Sequence, residues 1–145
     1  NASAYAQSSD ATPADNSQQQ RDAAQIEALL SQEEPISFYP YREMLGNLFY
    51  EKIGIVRENA QLQEALNEVS TMQKKQSDMG IADKSETNNQ NLIDFLEFQN
   101  AILLAPIIIS AAITRDESRG AHYKVGFEQA DEALQKQIVL KLEKE

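Results

Sequence analysis

Cysteine and tryptophan are absent, histidine occurs once as His122, and 13 Lys and Arg face 23 Asp and Glu, for a formal net charge of −10. Without cysteine there is no disulfide framework, no thiolate nucleophile, and no iron–sulfur or cysteine-based zinc site. A lone imidazole excludes a histidine-cluster metal centre and a second imidazole for acid–base work. The negative balance opposes the phosphate backbone of nucleic acid and an anionic lipid surface alike, so neither is expected as a partner. Glycine is also sparse, and the five present are scattered singly with no G-x-G-x-x-G to cradle a dinucleotide. The acidic loop of residues 78–86 lacks the alternating carboxylates of a calcium site.

What is present is one unusually apolar stretch, residues 92–113. Ile102, Leu103, Leu104, Ala105, Ile107, Ile108 and Ile109 point in every direction at about 100° per residue, so a helix here needs cover on most sides. Glu97, Gln99, Asn100 and Ser110 interrupt the run before it reaches the roughly 18 consecutive apolar residues of a bilayer span, and direct membrane insertion is not expected. Pro106 removes one i to i−4 bond, which predicts a kink between Ile102 and Pro106 and leaves the Ile102 carbonyl in want of a donor.

The rest of the chain has room for one modest domain with tails. Its start at Asn1-Ala2, with no Met, fits a piece of something longer. Residues 1–22 are small and polar and are expected to form a disordered linker or arm. Residues 23–36 read as a short helix and connection, with Ile26, Leu29 and Leu30 at helical spacing and Glu33-Glu34-Pro35 as its stop. The domain proper is residues 37–142. Pro40 suits the first turn of a helix whose face is Met44, Leu45, Leu48, Phe49 and Ile53 and which ends near Gly54. Asn59 is the expected N-cap of a second, carrying Leu62, Ala65, Leu66, Val69 and Met72, with Gly80 as its stop. Asn89 is the expected cap of the apolar helix, and Gly120 a left-handed residue that closes it. Residues 129–142, with Leu134, Ile138 and Leu142 four apart, predict a charged C-terminal helix. The fold class is therefore all-α: a three-helix bundle, up-down-up in the spectrin manner, with short N-terminal and C-terminal helices. Three helices of this size cannot cover every side of the third, so the terminal helices or another domain must close the rest.

Near the C-terminal end of the apolar helix, Arg115 and Arg119 sit well against the negative end of the helix dipole, but Asp116 and Glu117 do not. Glu117 is expected to be held by a basic residue of the preceding helices, Arg57 first and Arg42 second. His122 lacks any nucleophile or paired carboxylate in a readable motif and is expected to be a hydrogen-bonded structural residue.

Glu117-Ser118-Arg119-Gly120-Ala121-His122, followed by Tyr123-Lys124, resembles the E-S-R-G-A-H-Y-R segment of the flavoprotein subunits of succinate dehydrogenase and fumarate reductase, shared more loosely by L-aspartate oxidase. Upstream, residues 49–57 are similar to the family's W-E-K-V-G-I-x-R run: Glu51, Lys52, Gly54, Ile55 and Arg57 match, and Tyr50 stands for the Trp. Asp83-Lys84-Ser85 resembles the G-V-x-D-K-S loop, Asn89 corresponds to the Asn of F-N-T-E-L, and Glu97 falls on a family glutamate. Pro106 departs from the pattern, and after Lys124 only Phe127 and Asp131 of R-x-D-F-P-x-R-D-D remain.

The likeness covers about residues 40–131. It implies the C-terminal helical region of an FAD-dependent enzyme that interconverts fumarate and succinate, packed as a buttress on its own flavin-binding domain. The parent would carry FAD, pair with an iron–sulfur subunit plus a membrane anchor subunit, and lie peripherally at the cytoplasmic membrane, with the cytoplasmic face favoured. The family's catalytic His and Arg residues lie upstream, so this piece is expected to hold no catalytic, cofactor or metal residues, and alone to expose an apolar patch that promotes self-association. Its motif residues, Glu117, Ser118, Arg119, Gly120, His122, Gly54 and Arg57, would be structural. The alternatives are the C-terminal domain of an L-aspartate oxidase and a free-standing helical interaction module.

Overall fold

In the computed structural model, which describes residues 16–141, four α-helices carry the chain: α1 (Ser17–Ser31), α2 (Tyr39–Lys52), α3 (Asn59–Lys74) and α4 (Gln90–Thr114). Two-residue strands tie their ends: β1 (Ile36–Ser37) runs parallel to β3 (Met79–Gly80), and β2 (Val56–Arg57) parallel to β4 (Tyr123–Lys124). The all-α expectation holds.

Local chemistry sets most of the helix ends. Pro40 sits in the first turn of α2, where its missing N–H costs no intrahelical bond. The Asn89 side chain accepts from the Leu92 amide at 2.7 Å and donates to the Asp83 and Ser85 carbonyls, both at 2.9 Å, so one amide starts α4 and closes the loop before it. α3 starts differently from expectation. Glu58 is the cap, with no side-chain bond, and Asn59 is already helical.

Burial follows a three–four spacing on two helices: Leu62, Ala65, Val69 and Met72 on α3 meet Phe95, Phe98, Ile102, Ala105, Ile109 and Ala112 on α4. That spacing keeps both faces in register along a shared seam, as ridges of one helix enter grooves of the other. Leu45 and Leu48 of α2 join the same core, and Phe38 closes its end with ring centroids 5.1 Å from Phe95 and 5.8 Å from Phe98. Outside the core, Lys52 at the end of α2 ties it to α3 through Glu64 (3.1 Å) and Glu68 (2.8 Å).

α4 runs unbroken through Pro106. The Ile102 carbonyl that the proline leaves without a helical donor accepts instead from Gln73 Nε2 of α3 at 3.1 Å. On its outer side Ile93, Leu103, Leu104 and Ile108 are 48–56% exposed, so the described residues cover only part of the helix. By length and composition alone α4 could cross a membrane, and its polar interruptions do not exclude that. The seam with α3 and the Gln73 bond are the features of a helix in a protein core.

Three expectations need correction. α1 begins at Ser17, so residues 17–22 of the expected arm are helical, while residues 1–15 lie outside the described part. Gly80 does not stop α3, which ends at Lys74 and passes through a turn at Gln76–Asp78. Gly80 pairs in β3 instead, and a Cβ there would lie 2.1 Å from Gln32 Oε1 and 2.8 Å from Pro35 Cβ, so the glycine permits the close approach of that segment. The C-terminal helix is absent among the described residues: 129–141 is irregular apart from one turn at Glu132–Leu134, and residue 142 lies outside. The groups a helix would use are taken elsewhere, because the Asp131 amide donates to Glu117 and the Leu134 and Lys136 carbonyls accept from Arg115.

Replacing Gln73 by Leu leaves the Ile102 carbonyl unpaired and is expected to cost about 1–2 kcal/mol of stability in urea denaturation. In a Pro106→Ala background, where residue 106 regains its N–H, the same replacement is expected to cost under about 0.5 kcal/mol.

Candidate functional site

The last carbonyls of a helix lack intrahelical partners and carry partial negative charge. At the end of α4 they are met by Lys124, which is fully buried. Its ammonium donates to the Ala112 carbonyl (3.3 Å), the Ile113 carbonyl (2.7 Å) and Asp116 Oδ1 (2.7 Å), and lies 5.3 Å from the centre of the Phe127 ring. The cation that answers the helix dipole is therefore Lys124. The expected Arg115 and Arg119 turn to Glu117 instead.

The Glu117 carboxylate has no exposure at all. Arg119 Nη2 donates to Oε2 at 2.9 Å, its Nε reaches both oxygens at 3.2 and 3.1 Å, Arg115 Nη1 donates to Oε1, and the Asp131 amide donates to Oε2 at 2.9 Å. These donors, Arg119 foremost, outweigh the opposing effect of burial and lower the carboxyl pKa from 4.5 to about 2. The expectation that Arg57 or Arg42 would hold Glu117 is thus wrong. Arg42 lies 3.6 Å from both Asp94 and Glu97, in the first part of α4, while Glu117 lies beyond the other end of that 25-residue helix, roughly 35 Å long.

Arg57 takes a different partner. Its Nε donates to the Ile53 (3.1 Å) and Gly54 (2.9 Å) carbonyls, and its Nη1 to Nδ1 of His122, whose Nε2 is 3.2 Å from the Arg115 carbonyl. A guanidinium can only donate and a carbonyl can only accept, so the ring is the neutral tautomer with its proton on Nε2. Burial first, then the positive charges of Arg57, Lys124 and Arg115, lower the His122 pKa from 6.5 against the pull of the Arg115 carbonyl. Both ring nitrogens of His122 are thus hydrogen-bonded, as expected.

The remaining motif residues shape the turn. Gly120 has φ +58 and sits in a tight turn closed by Arg119 N to His122 O (2.8 Å) and His122 N to Arg119 O (3.0 Å). Its left-handed conformation was foreseen, but its place was not: α4 has already ended at Thr114. Ser118 Oγ donates to the Phe127 carbonyl (2.7 Å) and accepts from the Lys124 amide (2.9 Å), which fixes the return strand. That strand then pairs with β2, through Tyr123 N to Ile55 O (3.0 Å) and Val125 N to Arg57 O (2.9 Å). Gly54 ends α2 with little room to spare, since a Cβ there would lie 3.1 Å from the Tyr50 carbonyl.

Six of the seven predicted motif residues thus converge on one clasp over the end of α4, with Gly54 joined through its carbonyl. The sequence reading missed Lys124, Arg115 and the Asp131 amide. The basic position after H-Y in the motif was a visible signal for Lys124; its burial was not. Among the described residues no buried side-chain polar atom lacks a partner and no acidic or histidine cluster could hold a metal. A second feature lies between α2 and α4, where a groove of about 480 Å³ is lined mainly by Leu45, Phe49, Phe98, Ala101, Leu104 and Ile108, with Arg42 and Glu97 at its edge.

Clasp and apolar helix together define a helical domain whose central helix is left half exposed on one side. The chain belongs to the family described as fumarate reductase flavoprotein C-term, whose profile matches residues 42–145. It is 32% identical over 104 residues to the fumarate reductase flavoprotein subunit of Helicobacter pylori, covering 72% of this chain and 15% of that protein. Against the fumarate reductase flavoprotein subunit of Haemophilus influenzae the identity is 29% over 109 residues, 75% of this chain and 18% of that one. The fold is shared with an E. coli quinol fumarate reductase chain, with a TM-score of 0.79 at 22% identity over 90% of this chain and 23% of that one. The Mycobacterium smegmatis Sdh1 complex gives 0.78 at 21% identity over 90% and 22%. The chain therefore spans less than a quarter of the length of these relatives.

Replacing Lys124 by Met removes the donor to two carbonyls and strands Asp116, and is expected to cost about 2–4 kcal/mol in chemical denaturation. Because the Glu117 pKa is depressed, its contribution is present above the unfolded value of 4.5 and is lost as pH falls toward about 2. The stability gap between the wild type and Glu117→Gln should therefore narrow across that window, read from denaturation midpoints at successive pH values.

Proposed function

We propose that residues 37–142 are the C-terminal helical domain of the flavoprotein subunit of an FAD-dependent fumarate reductase or succinate dehydrogenase. The domain is a non-catalytic buttress. The observation that carries this is the E-S-R-G-A-H turn, folded around a buried Glu117 and sealing the end of an α4 whose opposite side is bare. A clasp bonded in this way suits a structural role, and the half-exposed side of α4 suits contact with the parent's own flavin-binding domain.

In the parent, FAD supplies hydride transfer with a four-carbon dicarboxylate. No described residue of this region is assigned to it. The relatives support a multi-subunit setting, since the solved neighbours include a quinol-fumarate reductase with menaquinol and an Sdh1 complex with UQ1. On this reading the parent joins iron–sulfur and membrane anchor subunits and sits peripherally at the membrane, the cytoplasmic face favoured, with α4 packed in protein and not inserted in lipid.

The test compares two proteins. The intact parent subunit should purify with bound flavin and reduce fumarate or oxidise succinate, while the 145-residue chain shows neither flavin absorbance nor turnover. Flavin bound by the short chain would overturn the non-catalytic assignment; oxidation of L-aspartate by the parent, with no action on succinate, would move it to the L-aspartate oxidase branch.

A further inference from the structure

The residues after α4 cross back over the helix end, held there at five points. They are the β2–β4 pairing, Lys124 on the α4 carbonyls, Arg115 on the Leu134 and Lys136 carbonyls, Glu117 on the Asp131 amide, and the bond between Arg57 and His122. The last depends on a lone pair on His122, which protonation removes.

We propose that His122 is a proton-sensitive latch: protonation of its ring releases residues 118–141 from the end of α4 and uncovers the helix surface around Ala112. Geometry carries the argument. Nδ1 accepts from a guanidinium, so an imidazolium there would turn an N–H toward another cation and lose the bond outright. The surroundings offer no compensation. Arg57 faces the ring from β2, Arg115 from the end of α4 and Lys124 from β4, while Arg119 and Lys136 line the same cleft from the turn and the tail. The nearby acids are already committed, Glu117 to Arg115 and Arg119, and Asp116 to Lys124.

Water can reach the ring on two sides. His122 lines a cleft of about 410 Å³ that also contains Leu134, Gln135 and Lys136. It lines another of about 340 Å³ in which Ile138 of the tail faces Ile108, Ala111 and Ala112. Past Lys136, Val139 and Leu140 of the same segment are exposed. The depressed pKa of the closed state has the matching sign: protons bind the open form better, so opening increases as pH falls below 6.5 and levels off below the closed-state value. Each unit between the two values is worth about tenfold in the opening equilibrium.

His122 is the single histidine of the chain, so its ring signals in NMR report the latch alone. The 145-residue chain is titrated from pH 7.5 to 5 while backbone hydrogen exchange is followed by mass spectrometry and corrected for the intrinsic pH dependence of exchange. Residues 118–141 are expected to lose protection as pH falls from 6.5 to the midpoint of the His122 ring titration, about tenfold for each unit between the two, while residues 59–74 of α3 keep theirs. In His122→Gln the loss should vanish, leaving protection flat. Protection of 118–141 that ignores pH in the wild type, a loss that continues below the ring's midpoint, or a loss that survives in His122→Gln would each overturn the proposal. Should His122→Gln fail to fold, the agreement in the wild type between the ring's midpoint and the pH at which the loss levels off decides it.

Discussion

A carboxylate with no exposure to water must be answered by charge and hydrogen bonds within the protein, and the neighbourhood of Glu117 is arranged around that requirement. Two guanidiniums and a backbone amide converge on it from the end of α4, the following turn and the chain beyond. Each donor is itself anchored: Arg115 also holds the Leu134 and Lys136 carbonyls, and Arg119 the Asp131 carbonyl. The buried charge thereby fixes how the chain leaves the helix. Breaking one partner would leave the others facing an uncompensated ion, which is why the arrangement behaves as a unit.

Directly beneath that network, the helix dipole of α4 poses a second electrostatic demand, met by Lys124 from β4. The two demands are separated by sign. Cations cluster over the helix end, one set neutralised by Glu117 and the other by the carbonyls and Asp116. In this company a neutral His122 is the economical choice, because its ring can accept from Arg57 without adding charge.

Along its length α4 shows how one helix can serve two surfaces. The side bearing Phe95, Phe98, Ile102, Ala105, Ile109 and Ala112 packs on α3, where Gln73 also satisfies the carbonyl freed by Pro106. The other side, with Ile93, Leu104 and Ile108, remains about half exposed. Burying such residues is worth about 25 cal/mol per Å² of apolar surface, so their exposure is a standing drive toward contact.

The spacing of apolar residues was enough to place α2 and the starts of α3 and α4 within a residue or two, because α2 and α3 have a periodic face that a helix buries on one side and α4 an apolar run of helical length. Pro40 and Asn89 marked helix starts from their own chemistry, and the Ile102 carbonyl was identifiable as needing a donor, though not that Gln73 would provide it. The tail misled: Leu134, Ile138 and Leu142 have helical spacing, yet long-range bonds to Arg115 and Glu117 claim the backbone groups a helix needs. Local pattern therefore determined α2, α3 and α4 and the all-α class, and the resemblance of the E-S-R-G-A-H segment and its companions pointed to the family. Only the tertiary structure decided the pairings of Glu117, Arg57 and Lys124, since charges distant in sequence choose partners by the path of the chain in space.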